Sequence, residues 1–227
     1  MTGVSPVIAV DGPAAAGKGT LARRLAEALD FAHLDTGLLY RAIGLALLDG
    51  GQDPSDEVAA VAAAEKMAEY DLGNPDLRQE RVAAAATKLA VFQAVRGHLL
   101  RFQRDFAARP PGGKKGAVVE GRDIGTVVLP GAPCKLFLTA SLEARAERRL
   151  KELRERGTES IGISRILKEM RERDARDQNR AVAPLCPAEG AVIIDTTELD
   201  ADAAFKAAME IIRSLRSLIG QGLIDKK

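Results

Sequence analysis

Short apolar runs alternate along the chain with longer stretches in which apolar residues return every three or four positions, a pattern that predicts strands and helices in turn. Val7-Ile8-Ala9-Val10 reads as a short buried strand, and Leu21, Leu25 and Leu29 follow it at helical spacing. His33 to Arg41 predicts a very short strand, a turn at Gly37 and a helix starting near Leu38. A loop over Asp49–Pro54 leads into alanine-rich helical text from Ser55 to Tyr70, which Asn74-Pro75 breaks. From about Asp76 to Ala108 a long helical stretch, bent near Gln93 to Gly97, carries Val82, Leu89, Phe92, Val95, Leu99, Phe102 and Phe106. Pro110-Pro111-Gly112-Gly113 ends it, and Ala117-Val118-Val119 and Lys135-Leu136-Phe137-Leu138 read as further strands. Ser141 caps a helix bearing Leu142, Ala146, Leu150 and Leu153, which breaks into a loop over Gly157 to Gly162 before another helix. Ala191-Val192-Ile193-Ile194-Asp195 reads as a last buried strand, and Phe205, Ala208, Met209, Ile212 and Leu215 as the face of a closing helix that Gly220 stops.

No internal repeat is visible, and strands alternating with helices predict an α/β domain built on a parallel sheet. The core is expected over 1–48, 114–156 and 181–227. A helical insertion occupies about 49–113, and an arginine-rich lid with its following helix about 149–180. At 227 residues and 46% hydrophobic content the chain has ample material for a core. Thirty-three Lys and Arg against 32 Asp and Glu leave a formal charge of +1, so no global field draws the protein to nucleic acid or to an anionic membrane. Cys134 and Cys186 stand without partners at metal-ligand spacing and read as reduced thiols of a reducing compartment. Without a charged leader or a long apolar stretch at the N-terminus, the expected location is the cytoplasm.

Chemistry concentrates in Gly12-Pro13-Ala14-Ala15-Ala16-Gly17-Lys18-Gly19-Thr20, a glycine-bounded loop between the first strand and the first helix. Such a loop turns backbone amides onto a polyphosphate, the lysine adds a mobile cation, and the helix adds its positive N-terminal end. Gly19 stands where a magnesium-binding Ser or Thr follows the lysine in the general pattern, and Thr20 comes one residue later. Asp35, Tyr40 and Arg41 are candidates for a second ligand, although Asp35 or Thr36 also suits a plain helix cap. Glu120-Gly121-Arg122-Asp123-Ile124-Gly125-Thr126 lies just past a strand's carboxyl end, where open α/β sheets place ligands. Between Ser141 and Arg180, twelve Lys and Arg, ten of them Arg, face nine Asp and Glu. Most of these form a solvated, ion-paired helix face. Arg173, Asp177 and Arg180, however, are spaced to project from one side of a helix, as in an arginine-rich flap that closes over phosphates.

With these pieces placed, the chain resembles the bacterial cytidylate kinases, within the nucleoside monophosphate kinases, over nearly its whole length. The resemblance rests on the phosphate loop, on Leu34-Asp35-Thr36-Gly37, on Gly121-Arg122-Asp123-Ile124-Gly125-Thr126-Val127-Val128 and on the run from Glu172 to Leu185. It implies a five-stranded parallel sheet and transfer of the γ-phosphoryl of ATP to CMP or dCMP with magnesium; a monomer without nucleic-acid or membrane partners is expected. By the same resemblance residues 12–20 bind ATP, and Thr36, Arg41, Arg122 and Arg180 hold the acceptor phosphate. Arg173 and Asp177 would hold the ribose, and Thr87, Arg96 and Asp123 the cytosine, while Lys18, Arg122, Arg173 and Arg180 carry the catalysis. No side chain is assigned directly to magnesium, which would sit with ATP near Thr20. Thr87 stands where the family often has Ser, and the insertion after Tyr70 is too short for the small β-sheet of longer members. His33 and His98 are expected to be structural. A kinase for UMP, AMP or shikimate would share the loop and flap but differ in its acceptor pocket. A nucleotide switch is disfavoured by the absence of an Asn-Lys-x-Asp guanine motif, and a nucleic-acid module by the lack of a contiguous basic patch.

Overall fold

The computed structural model of the chain describes residues 6–155 and 161–215. It divides into two units, one made of residues 1–33 and 110–227 and the other of Leu34–Arg109.

The first unit is organised on a parallel sheet. Strand β1 (Val7–Asp11) is buried throughout and is followed by helix α1 (Lys18–Leu29). Then come β2 (Ala32–Asp35), within which the chain passes to the second unit, β3 (Ala117–Glu120), β4 (Cys134–Thr139) and β5 (Val192–Asp195). The strand order is β2-β3-β1-β4-β5. Parallel pairing sets Val10 opposite Glu120 and Leu136, so β1 runs down the middle, flanked on both sides. Ile8, Val10, Val118, Leu136 and Leu138 of the strands meet Leu21, Leu25 and Leu29 of α1 and Ala208, Met209 and Ile212 of the closing helix, here α8 (Ala201–Ser214). These side chains form one dry core, the main source of the unit's stability. Between β4 and β5 lie α6 (Leu142–Glu155), whose first turn is capped by Ser141 through Ala144 N–H, and α7 (Ile163–Gln178). Ala146, Ile166 and Met170 join the two helices. Of the expected break over Gly157 to Gly162, residues 157–160 lie outside the described residues, as does the stop at Gly220.

The second unit is helical. It contains α2 (Thr36–Asp49), α3 (Glu57–Glu65), α4 (Glu80–Leu89) and α5 (Gln93–Ala108), with short 3-10 turns between. Leu39, Ile43, Leu47, Leu77, Leu89 and Leu99 are fully buried there. Gly44 lets α2 approach α4 closely, since a Cβ at that position would stand 3.0 Å from Ala85 Cβ.

Three expectations need correction. Helix α2 starts at Thr36 rather than near Leu38, because Asp35 accepts from Gly37 N–H at 2.9 Å and caps the helix straight from the strand. The long helix breaks at residues 90–92, upstream of the expected bend, and Gly97 sits inside α5. Strand β5 is not buried: it pairs with β4 at the end of the sheet order, and Ile193 is 58% exposed. No described helix is long and apolar enough to cross a membrane.

Candidate active site

The loop between β1 and α1 is shaped by three positions of positive φ, Gly12, Ala15 and Gly17. Gly12 has φ 144°, and a Cβ there would lie 2.1 Å from the Leu138 carbonyl oxygen. Only glycine fits so close a backbone crossing. Ala15 takes a left-handed φ of 58°, and Gly17, with φ 88°, precedes the first helical residue, Lys18. Lys18 is buried and its Nζ donates to the Pro13 carbonyl at 2.7 Å. Arg145, on α6 and also buried, donates to the carbonyls of Ala14 (3.3 Å) and Ala140 (3.0 Å) and pairs through both terminal nitrogens with Asp174 of α7. Thr196 Oγ1 donates to the Ala16 carbonyl at 3.1 Å. The carbonyls of residues 13, 14 and 16 are thus tied by donors around the loop. The amides at the start of α1, which have no acceptors within the helix, together with its dipole, make this end of the sheet attractive to anions.

Two carboxylates border the loop. Glu120, buried at the end of β3, faces Gly19: a Cβ at Gly19 would lie 3.4 and 3.6 Å from its two oxygens. Glu120 Oε1 is also 2.9 Å from His33 Nε2, which gives that histidine the structural partner expected of it. The departure from Ser or Thr at position 19 therefore coincides with a carboxylate standing close to that position. Asp11, the last residue of β1, is 3% exposed and accepts from Ile124 N–H at 2.8 Å and Gly125 N–H at 2.7 Å. Burial raises its pKa from 3.8 to about 6; the two amide bonds pull it down, the Asp123 charge pushes it up and Lys18 pulls it down. Oxygen donors of this kind, with the exposed Thr20 hydroxyl in the first turn of α1, are of the class that suits Mg2+. Among the described residues no group of three or more His, Cys, Asp or Glu side chains is placed to hold a metal ion.

The loop after β3 is a compact turn with π-type bonding over Ile124–Val128, rather than an open loop. Before it, Arg122 Nε donates to Asp177 Oδ2 at 3.1 Å and Nη1 to the Gly121 carbonyl at 3.1 Å. Arg180 pairs with the other oxygen of Asp177. That aspartate is buried and supports two guanidinium groups at once. Arg180 does not project from α7 as its spacing predicted. The helix ends at Gln178, and Arg180 folds back to Asp177 from the turn beyond. Arg173 lies one helical turn before Asp177 and is half-buried.

In the second unit Thr36 is the buried first residue of α2, and Arg41 Nη1 donates to the Leu77 carbonyl at 2.8 Å. Thr87 is exposed on α4, its hydroxyl donating to the Ala83 carbonyl at 3.0 Å, and half-buried Arg96 lies in the first turn of α5. Asp35 serves as the helix cap that its position also allowed. The structure thus gathers Lys18, Arg122, Asp123, Arg173, Asp177 and Arg180 in the first unit and carries Thr36, Arg41, Thr87 and Arg96 on three helices of the second. Sequence reasoning passed over Asp11, Arg145 and Thr196, and carried Glu120 and Asp174 only as members of longer motifs, without a role. For Asp11 and Glu120 a signal existed: each is a lone carboxylate that ends a buried apolar run immediately before a glycine.

A protein-family model described as cytidylate kinase matches residues 8–214. A cytidylate kinase of Paramagnetospirillum magneticum is 60% identical over 213 residues, covering 94% of this chain and 100% of that protein. One of Methylocella silvestris is 53% identical, covering 95% of this chain and 98% of that protein. Among solved structures, an uncharacterized protein from Eubacterium ventriosum shares the fold with a TM-score of 0.53 at 17% identity, covering 93% of this chain and 99% of that one.

Proposed function

This chain belongs to the cytidylate kinase family and transfers a phosphoryl group from ATP to CMP, and we propose that residues 12–20 hold the donor while Thr36, Arg41, Arg122 and Arg180 hold the acceptor phosphate. Arg173 and Asp177 take the ribose, and Thr87, Arg96 and Asp123 the cytosine. The observation that carries this reading is the buried Asp177 carboxylate, which fixes Arg122 and Arg180 while each guanidinium fork retains donors to offer a phosphate.

Phosphoryl transfer leaves little covalent work to the protein, and the barrier falls by alignment and by cations aimed at the moving charge. Lys18 leaves the Pro13 carbonyl for the β- and γ-oxygens of ATP, while the amides at the start of α1 hold the phosphates. Arg122 and Arg180 orient the attacking oxygen of CMP, and Arg173 adds charge stabilisation beside them. The acceptor is already an ionised phosphate, so no general base is assigned. Magnesium accompanies ATP, with the Thr20 hydroxyl and the carboxylate side of Glu120 as the residues that would hold it, and it supplies further neutralisation of phosphate charge. The reading extends to dCMP, which shares with CMP the phosphate and the base assigned to the other residues.

A coupled ADP-release assay across CMP, dCMP, UMP and AMP, run with the wild type and with Arg180→Ala, tests the assignment. CMP should be the best acceptor, and Arg180→Ala should raise its KM by about tenfold or more, as for loss of a charge-assisted contact. A variant with unchanged KM for CMP would remove Arg180 from the acceptor site.

A further inference from the structure

We infer that Asp11 is a positioning residue for acceptor binding, its carboxylate fixing the turn that carries Arg122 and Asp123. The inference rests on the reading that those two residues meet CMP. Its basis is a bracket. Gly121 N–H donates to the Val10 carbonyl at 3.0 Å, and Ile124 N–H and Gly125 N–H donate to Asp11 at 2.8 and 2.7 Å. Arg122 and Asp123 are the two residues between these anchors, and both anchors belong to consecutive residues of β1. The next residue, Gly12, is held against the Leu138 carbonyl and begins the phosphate loop. The strand end thus borders both the donor loop and the turn of the acceptor side, and the Asp11 carboxylate itself is committed to the turn.

The chemistry of the anchor is specific to a carboxylate. Within the turn, the Asp123 carbonyl accepts from Val127 and Val128 N–H and the Ile124 carbonyl from Leu129 N–H. The amides of Ile124 and Gly125 instead go to Asp11. Buried amides of this kind need acceptors, and two convergent N–H groups need two acceptor oxygens. An asparagine offers one, and its NH2 would face the second amide donor to donor. A methyl group at Gly125 would press from the other side, its carbon 3.0 Å from Ala188 Cβ and 3.4 Å from Asp11 Oδ2. Burial raises the Asp11 pKa only to about 6, so the group is ionised at neutral pH and both oxygens accept.

The test is calorimetric titration of the full chain with CMP and, separately, with ATP, for wild type, Asp11→Asn, Gly125→Ala and Arg122→Ala. Asp11→Asn and Gly125→Ala should each weaken CMP binding by about tenfold or more while ATP affinity changes by less than about threefold, because displacement of a positioning element acts on the ligand it positions. Gly125→Ala decides the matter if Asp11→Asn does not fold. CMP affinity that is unchanged in both, or that falls in the same proportion as ATP affinity, would overturn the inference. If Arg122→Ala itself bound CMP normally, the acceptor reading would fall instead. A CMP-specific loss in Arg122→Ala beside an insensitive Asp11→Asn would sink this inference alone.

Discussion

Around the phosphate loop the backbone itself is tied. Carbonyls of residues 13, 14 and 16 accept from Lys18, Arg145 and Thr196, and Gly12 is wedged against β4. In the helical unit the candidate acceptor residues are separate side chains, two of them already donating to protein carbonyls: Arg41 to that of Leu77, Thr87 to the one a turn back. A loop with fixed geometry does not have to be reorganised when phosphate arrives, so its contribution to the transition state is undiminished. A side chain that exchanges a protein carbonyl for a ligand returns only the difference between two hydrogen bonds, unless, like Lys18, it delivers its charge to the transferring phosphoryl group. Substitutions near the loop should therefore be severe and those on the helices graded.

The largest effect is expected at Lys18, the mobile cation within the fixed loop. Lys18→Met should lower kcat by about a hundredfold or more with the circular dichroism spectrum unchanged, and near-normal turnover would contradict the assignment. Next comes Arg145→Ala, which removes the guanidinium partner of the half-buried Asp174 carboxylate and releases the Ala14 carbonyl. Breaking this pair should cost about 2–3 kcal/mol, less than a fully buried pair, visible in denaturant unfolding, and the KM for ATP should rise with it. A loss below about 1 kcal/mol would show that the loop does not depend on this tie.

The Asp11 anchor sharpens the comparison through pH. Its carboxyl binds a proton more tightly in the folded chain, at about pH 6, than in the unfolded chain near 3.8. Its contribution to stability is therefore complete below about pH 4 and is lost as pH rises through 6. The stability of the wild type relative to Asp11→Asn should decline by up to about 3 kcal/mol between pH 4 and 7 and then level off, as read from paired denaturant titrations. A difference that grew over the same range would reverse the sign and refute the raised pKa. The smallest effect belongs to the helices: Thr87→Ala should lower kcat/KM for CMP by less than about tenfold, since the hydroxyl already has a carbonyl partner. A loss of about a hundredfold would place this side chain on a par with the loop and erase the contrast between the two regions.

The parallel sheet and the phosphate loop were legible because β1 and β3 are buried on every residue and read as unbroken apolar runs. The same reasoning located β5 but misjudged its burial: its run is equally apolar, yet its position at the end of the strand order leaves Ile193 exposed. Gly97 drew the expected helix break toward itself, yet it lies in α5 with open space around it, at the ordinary cost of a helical glycine. The real break at Ala90-Val91-Phe92 contains neither Gly nor Pro and left no local mark. Lys18, Arg122 and Asp177 could be nominated from local motifs. The residues that position them, Asp11, Arg145 and Thr196, act on partners 113, 131 and 180 positions away, a separation no local pattern encodes.

The claim that the turn after β3 reads the base is tested most directly at Asp123, which opens that turn at φ −141°. Cytosine presents an amino donor at C4 and acceptors at N3 and O2; uracil reverses the first two, setting its carbonyl against the Asp123 carboxylate. Measuring kcat/KM for CMP and for UMP in wild type and Asp123→Ala separates base reading from loop shaping. The expected result is a fall of about a hundredfold for CMP with a narrowed CMP-to-UMP ratio, because attraction to one base and repulsion of the other vanish together. An equal loss for both acceptors, leaving the ratio where it stands in the wild type, would contradict the assignment.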